Sequence, residues 1–452
     1  MLRPASQFFL SSARRYLPSG MSARYRRNYA RELLAWGLLP IMLGMLEGGV
    51  VGITAKKSFG GQVDPDLLDL VIGLLVGLPA SANLTSFAWA AFAHGRHKIR
   101  FVVSLQVVTI LAIAAVCLAA PTAWGFLLFA VAVAVGRIAW AGVVTLRTTI
   151  WASNYPRQDR PRIAGAFASI QALCLALVTF LTGLLLDENP DAYRWVYPLA
   201  ASIGMVGAWS YSRIRVRGHG RMLASERDHK KSADKLKPTI NPLGILRLLN
   251  NDRGFAAFML CLFLIGTGNI MVTAPLVIIL DDQFKLDYVQ AIAILTSIPI
   301  LIMPFSIPIW SRLLAKVHVV RFRSIHSWIF IIKNLLVFMC ILYSWLPGIY
   351  IAAVIQGIGF GGGVLAWNLG HHDFASPQSS TQYMGVHVTL TGIRGLLAPL
   401  FGVFIYKMLL DQGSATGGGV YLVAALLGIL GATGFLLLSK RYSKPPELES
   451  AD

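Results

Sequence analysis

The sequence predicts an all-α membrane protein of about twelve transmembrane helices, arranged as two pseudo-symmetric six-helix bundles. Three observations predict it. Apolar residues gather into twelve segments of membrane-spanning length, basic residues fall in alternate loops, and the Gly, Pro and Trp punctuation of the first half recurs in the second.

Of 452 residues, 56% are hydrophobic and 13% charged, where a soluble domain carries roughly 25% charged residues. The apolar excess forms runs at 33–55, 67–93, 101–120, 124–146, 163–186 and 193–212. A second series follows at 254–280, 288–314, 325–343, 349–370, 383–409 and 419–438. Each is about 20 residues or longer, enough to cross a hydrocarbon core of ~30 Å as a helix. Helix is the expected form because lipid offers no partner to an open backbone amide or carbonyl.

A net charge of +19 would point to nucleic acid in a soluble protein. Here its placement points to topology, and no nucleic-acid partner is expected. Basic residues crowd a tail at 1–32 (Arg24, Arg26, Arg27, Arg31), the 2–3 loop (Arg96, Lys98, Arg100) and the 4–5 loop (Arg157, Arg160, Arg162). Others fill the central stretch 213–253, the 8–9 loop (Arg312, Lys316, Arg321, Arg323) and the tail 440–452. The alternate loops carry Asp64, Asp66, Asp187, Glu188, Asp191, Asp281, Asp282 and Asp287. This is the positive-inside pattern, with both termini cytoplasmic. A multi-pass monomer of the inner (cytoplasmic) membrane is expected, its partners the lipid bilayer and a small-molecule solute. The 10–11 loop, with His371, His372 and Asp373 and no Lys or Arg, departs from the pattern. Cys117, Cys174, Cys261 and Cys340 all lie within predicted spans and read as apolar packing residues. Residues 1–20 hold three Arg and no acid. They read as a basic tail or an upstream extension before Met21, with a looser likeness to a mitochondrial transit peptide.

The polar stretch 213–253 separates bundles at 33–212 and 254–439 and reads as a linker. Within it, 242–250 is apolar and basic, and reads either as a short helix on the membrane surface or as a loose connector. Across the linker, Pro79 matches Pro299, Trp89 matches Trp310, Gly142 matches Gly363, Pro156 matches Pro377 and Gly165 matches Gly385. Every offset is 220 or 221. A constant offset across three helix pairs indicates duplication, and duplicated bundles place their solute site near the midplane between the repeats. The repeat therefore argues for a transporter.

Twelve spans, cytoplasmic termini, a long central loop and a 6+6 repeat over roughly residues 30–440 resemble the major facilitator superfamily of secondary transporters. The family's 2–3 loop signature, a Gly–Asp–Arg–Gly–Arg-type string, is similar to residues 88–98. Gly95, Arg96 and Lys98 survive, while the first Gly and the Asp fall at Ala88 and Phe92. Residues 310–316, with Arg312, repeat the string in the second half, again without its Asp. In the family that carboxylate helps latch the outward-facing closure, so the resemblance leaves this latch without its acid. The span-4 signature, Arg with Gly four positions on, is approximated by Arg137 with Gly142. The string from Trp367 to Phe374, with Gly385–His387 and Gly392–Gly395, is similar to a signature of a bacterial branch. The resemblance implies a cavity lined by spans 1, 4, 7 and 10, flanked by 2, 5, 8 and 11.

A charge at the bilayer centre costs at least ~2.5–3.5 kcal/mol, which makes it a functional candidate. Glu47, Arg137, Lys333 and Arg394 fall within a turn or two of mid-span, and the resemblance puts Lys333 on a supporting helix. Glu47, followed by Gly48 and Gly49, is a candidate proton-coupling group with Arg137 as partner; alternatively the two form a fixed pair that orients helices. Arg394, between Gly392 and Gly395, offers a forked donor for a carboxylate or phosphate, or pairs with helix-end carbonyls. Three buried cations against one acid favour an anionic or zwitterionic solute. Asn269, Gln356 and Trp140 are further candidates for binding it. His371, His372, Asp373 and His387 lack metal-ligand spacing; they read as a gate or as helix-end contacts. Neither a metal nor a cofactor is expected. No catalytic constellation and no phosphate-binding Gly-rich loop with Lys stands out, which argues against an enzyme or an ATP-driven pump. The expected function is a secondary active transporter working by alternating access. A non-transporting sensor or partner-binding subunit on the same scaffold is the alternative.

Overall fold

The apolar segments form helices whose ends are set by local capping. In the computed structural model, residues 17–156, 159–231, 242–375, 380–412 and 417–442 are described. Residues 1–16, Arg157, Pro377, Lys444 and the side chain of His372 lie outside the described residues.

Eleven helices among the described residues are long and apolar enough to cross a membrane. They are span 1 (Arg26–Phe59), span 2 (Pro65–Ala93), span 3 (Lys98–Leu118), span 4 (Ala123–Asn154), span 5 (Arg162–Glu188), span 7 (Arg253–Asp282), span 8 (Tyr288–Leu314), span 9 (Val319–Leu342), span 10 (Leu346–Asn368), span 11 (Tyr383–Leu410) and span 12 (Gly417–Ser439). The remaining segment, span 6 (Tyr193–Ser212), is a continuous helix rich in Tyr, Trp and Ser that packs on spans 1 and 3. The architecture is all-helical, in two bundles of six. Large apolar side chains such as Leu111, Leu177, Phe305, Phe404 and Leu430 stand exposed around it, as a lipid-facing surface requires and a soluble one would not tolerate in such numbers.

Start signals recur along the chain. Asp64 precedes Pro65 and its carboxylate accepts from the amides of Asp66 and Leu67 at 3.1 and 3.0 Å. Asp252 accepts from Phe255 N at 2.8 Å at the start of span 7. Both satisfy amides that a helix N-terminus leaves open. The two halves pack alike. Spans 1 and 6, 3 and 4, and 3 and 6 contact one another, as do 7 and 12, 9 and 10, and 9 and 12. The duplication reaches single hydrogen bonds. Trp89 Nε1 donates to Ile138 O at 2.9 Å, and Trp310 Nε1 donates to Ile358 O at 2.8 Å.

Span 1 is broken. Its helix Arg26–Gly44 stops, Met45–Glu47 turns, and a second helix runs Gly48–Phe59. Span 7 breaks likewise into Arg253–Met271 and Thr273–Asp282. Span 8 contains a π-helical turn, Ala293–Ser297, a feature frequent at functional sites. An even number of spans brings the start of span 1 and the end of span 12 to one end of the bundle, and the opposite end is called the far end below. The stretch 242–250 falls in a helix, Pro242–Asn251, whose Ile245, Leu248 and Leu249 pack against the cluster around Phe255.

Candidate functional site

The break in span 1 creates the first site. Turning at Met45–Glu47 frees the Leu46 carbonyl inside the bundle, where an unpaired polar group is costly. Arg137 on span 4 answers it: Nε donates to Leu46 O at 2.8 Å and the second nitrogen reaches the same oxygen. The same guanidinium pairs with Glu47 Oε1 at 3.0 Å. Two expected residues thus meet at mid-membrane depth. Beside them Gly49 lets the π-turn of span 8 approach, since a Cβ there would collide with Thr296 and Leu295. Thr179 and Ser297 share a hydrogen bond of 2.8 Å across the same seam.

Arg394 stands apart from that pair. It extends from span 11 to donate to Leu262 O on span 7 at 3.0 Å, and Gly266 provides the space its guanidinium fills. Among the described residues its Nε has no hydrogen-bond partner. Asn269 and Gln356 line one cavity, together with Lys333. Trp140 is buried and packs edge-on against Trp36, centroids 6.1 Å apart, so in this state it belongs to the bundle wall.

The loop residues separate by role. Asp373 Oδ2 accepts from Val319 N at 2.7 Å and so caps span 9; of the two readings, this is the helix-end contact. His371 is buried, Arg312 is exposed at the end of span 8, and Arg96 lies over the Phe101 ring at 5.8 Å. Gly95 and Lys98 have a partner that the sequence did not announce. Glu226, on the linker helix His219–Lys231, accepts from Gly95 N at 2.6 Å and from Lys98 Nζ at 2.8 Å. The carboxylate missing from the loop is supplied by the linker. Burial would raise the pKa of Glu226, but the bonds from Lys98 and Gly95 outweigh it and hold the carboxyl below its ordinary range. His219, on the same helix, accepts from Lys98 N at 3.3 Å. Burial, with His97 and Lys98 close by, holds its imidazole below the usual histidine value.

Several functional candidates escaped the sequence. Glu32 is fully buried in span 1, not in a tail; it accepts from Trp151 Nε1 and, at 2.5 Å, from Tyr155 OH. Arg147 lies between the Trp36 and Trp151 rings at 4.5 and 4.6 Å. Arg323, counted in the 8–9 loop by its charge, is a buried residue of span 9. The far end carries a lattice of ion pairs, most of them across the halves. Lys56 pairs with Asp69 at 3.0 Å and Asp282 at 3.2 Å, Lys57 with Asp281 at 3.0 Å, and Lys407 with Asp66 at 2.6 Å and Asp69 at 3.1 Å. Asp187 of span 5 accepts from Tyr288 N at 2.6 Å and Val289 N at 3.0 Å, capping span 8 of the other half. One signal was available: Lys56 and Lys57 are adjacent basic residues at the end of span 1 that meets the acidic loops.

The halves therefore meet through far-end helices Gly48–Phe59 and Thr273–Asp282, and along spans 2 with 11 and 5 with 8. The opposite helices of spans 1 and 7, Arg26–Gly44 and Arg253–Met271, pack mainly within their own halves. The seal is at the far end.

Comparison with known proteins agrees with this geometry. No curated protein sequence matches the chain. Among solved structures, a D-xylose-proton symporter superposes with a TM-score of 0.71 at 14% identity, covering 94% of this chain and 99% of that one. The POT family transporter PepTSo gives 0.67 at 10% identity, covering 92% and 98%. A bacterial homolog of the human lysosomal transporter Spinster, in an inward-facing and unoccupied conformation, gives 0.65 at 15% identity, covering 93% and 98%. At such identities the likeness shows the fold. The family model described as Major Facilitator Superfamily matches residues 33–399, most of the chain, and the chain belongs to that family.

Proposed function

We propose that this secondary transporter moves a small anionic or zwitterionic solute by alternating access, with Glu47 as the group that takes and releases a coupling proton. The observation that carries the reading is the Arg137 guanidinium shared between the freed Leu46 carbonyl and Glu47 at 3.0 Å. A carboxylate there is held by one removable partner beside a broken helix, so proton uptake would release Arg137 and loosen the joint on which span 1 bends. Arg394 and the amides of Asn269 and Gln356 supply donors on the opposing half. The excess of buried cations in that half favours an anion.

Alternate basic loops put the termini in the cytoplasm. The far-end ion pairs then close the outer side, and this is the inward-facing state. The linker's Glu226 replaces the loop carboxylate on Gly95 and Lys98, which makes the linker helix part of the gate on the cytoplasmic side. Asp373 contributes to that gate by fixing the start of span 9.

The test is uptake into vesicles with and without an inward proton gradient. Glu47→Gln is expected to lose gradient-driven accumulation while keeping solute exchange at equilibrium. Full gradient-driven uptake by Glu47→Gln would remove the coupling role.

A further inference from the structure

Inside the C-terminal bundle, Lys333 of span 9 is 7% exposed. Among the described residues its ammonium forms no ion pair. The Tyr421 ring centroid lies 5.8 Å away, at the edge of cation–π range. The Tyr421 hydroxyl is directed elsewhere, toward Val272 O at 3.3 Å.

Lys333 borders a partly open cavity of about 80 Å³ between spans 7, 8, 9, 10 and 12. Asn269 and Gln356 form its polar wall, and among the described residues the side-chain oxygen of each lacks a hydrogen-bond partner. The remaining wall is apolar, with Val272, Leu276, Pro299 and Val337. Amide oxygen and nitrogen exchange places by a flip of the side chain, so both residues can present N–H groups to the same volume. A buried cation with two amide donors in apolar surroundings calls for a compact anion. Size narrows the choice. A water occupies about 30 Å³ in the liquid, and a cavity of about 150 Å³ admits benzene. This one has room for a carboxylate group.

We propose that Lys333, Asn269 and Gln356 form a carboxylate-binding site within the C-terminal bundle, reaching back from the central path to spans 9 and 12. The inference rests on the anionic-solute reading and deepens it. The carboxylate belongs either to the solute or to a free small monocarboxylate.

Binding of formate and acetate to the purified protein in nanodiscs, measured by calorimetry beside uptake by the same preparations, tests this. Formate and acetate are expected to bind saturably, and Lys333→Met to raise the formate Kd at least tenfold. Loss of both formate binding and solute uptake in Lys333→Met assigns the site to the solute's own carboxylate. Loss of binding with uptake intact assigns it to a free anion. Should Lys333→Met fold poorly, Asn269→Leu and Gln356→Leu are each expected to weaken formate severalfold. No saturable formate or acetate binding, or unchanged binding in these variants, overturns the site. Anion-selective uptake continuing in that case would leave the transport reading in place.

Discussion

The two halves descend from one pattern yet treat buried charge differently. In the N-terminal half the fully buried charges face opposite ones. Arg137 meets Glu47 at 3.0 Å, Lys98 meets Glu226 at 2.8 Å, Asp69 meets Lys56 at 3.0 Å, and Glu32 lies within electrostatic reach of Arg147. In the C-terminal half Arg323, Lys333 and Arg394 are buried or largely so, and none forms an ion pair with a described carboxylate. A balanced half can hold its shape unaided. On the proposed reading, an anionic solute completes the unbalanced one.

The largest expected effect breaks that comparison most sharply. Arg137→Met strands a partly buried carboxylate and a carbonyl together, so it is expected to cost about 3 kcal/mol, the low end of the range for breaking a buried pair. Arg323→Met strands no acid and is expected to be neutral or stabilising. Thermal unfolding of the two variants in one detergent reads the difference, and equal losses would dissolve the distinction between the halves.

Next comes Arg394→Met. Removing a charge-assisted hydrogen bond of about 1.5–3 kcal/mol to an anion is worth roughly tenfold or more in affinity. Counterflow should weaken by that factor with little change in melting temperature. The far-end pairs are smaller in effect. Lys407→Met removes partners of Asp66 and Asp69, the first of them exposed, and is expected to shift the balance modestly toward an open far end. Accessibility of a cysteine placed at position 61 measures that shift, and raised salt should mimic it.

The smallest effect concerns pH. A lowered His219 pKa and a lowered Glu226 pKa both mean that the undocked linker binds more protons than the docked one. Docking on Gly95 and Lys98 is therefore fully present above the ordinary histidine value of about 6.5. It weakens as pH falls through the His219 value, then further through that of Glu226. Hydrogen exchange of the helix His219–Lys231 between pH 8 and pH 4 is expected to show protection lost on acidification, and Glu226→Gln should lack the lower step.

The architecture was legible because spacing carries it. Apolar run length gives the spans, and the recurrence of Trp89 at Trp310 announced a bond that both halves make. Glu47 and Arg137 were legible as charges too deep to be idle, and Gly49 as a point of close approach. What stayed hidden depends on partners distant in sequence. Glu32 follows Arg31 and reads as tail until Trp151 and Tyr155 close over it. Arg323 reads as a loop cation because span 9 starts several residues before its apolar run does. Glu226 lies in a mixed-charge linker where nothing marks one carboxylate above another. Lys333 was seen but set aside, since only the packing of five spans shows the cavity it borders.

The most direct measurement of the central claim is the charge selectivity of uptake. Purified protein in liposomes would be offered labelled solutes of matched size that are anionic, zwitterionic, neutral or cationic. The account predicts uptake of the anion or zwitterion, reduced tenfold or more in Arg394→Met. Uptake confined to neutral or cationic solutes, unchanged in Arg394→Met, would contradict it.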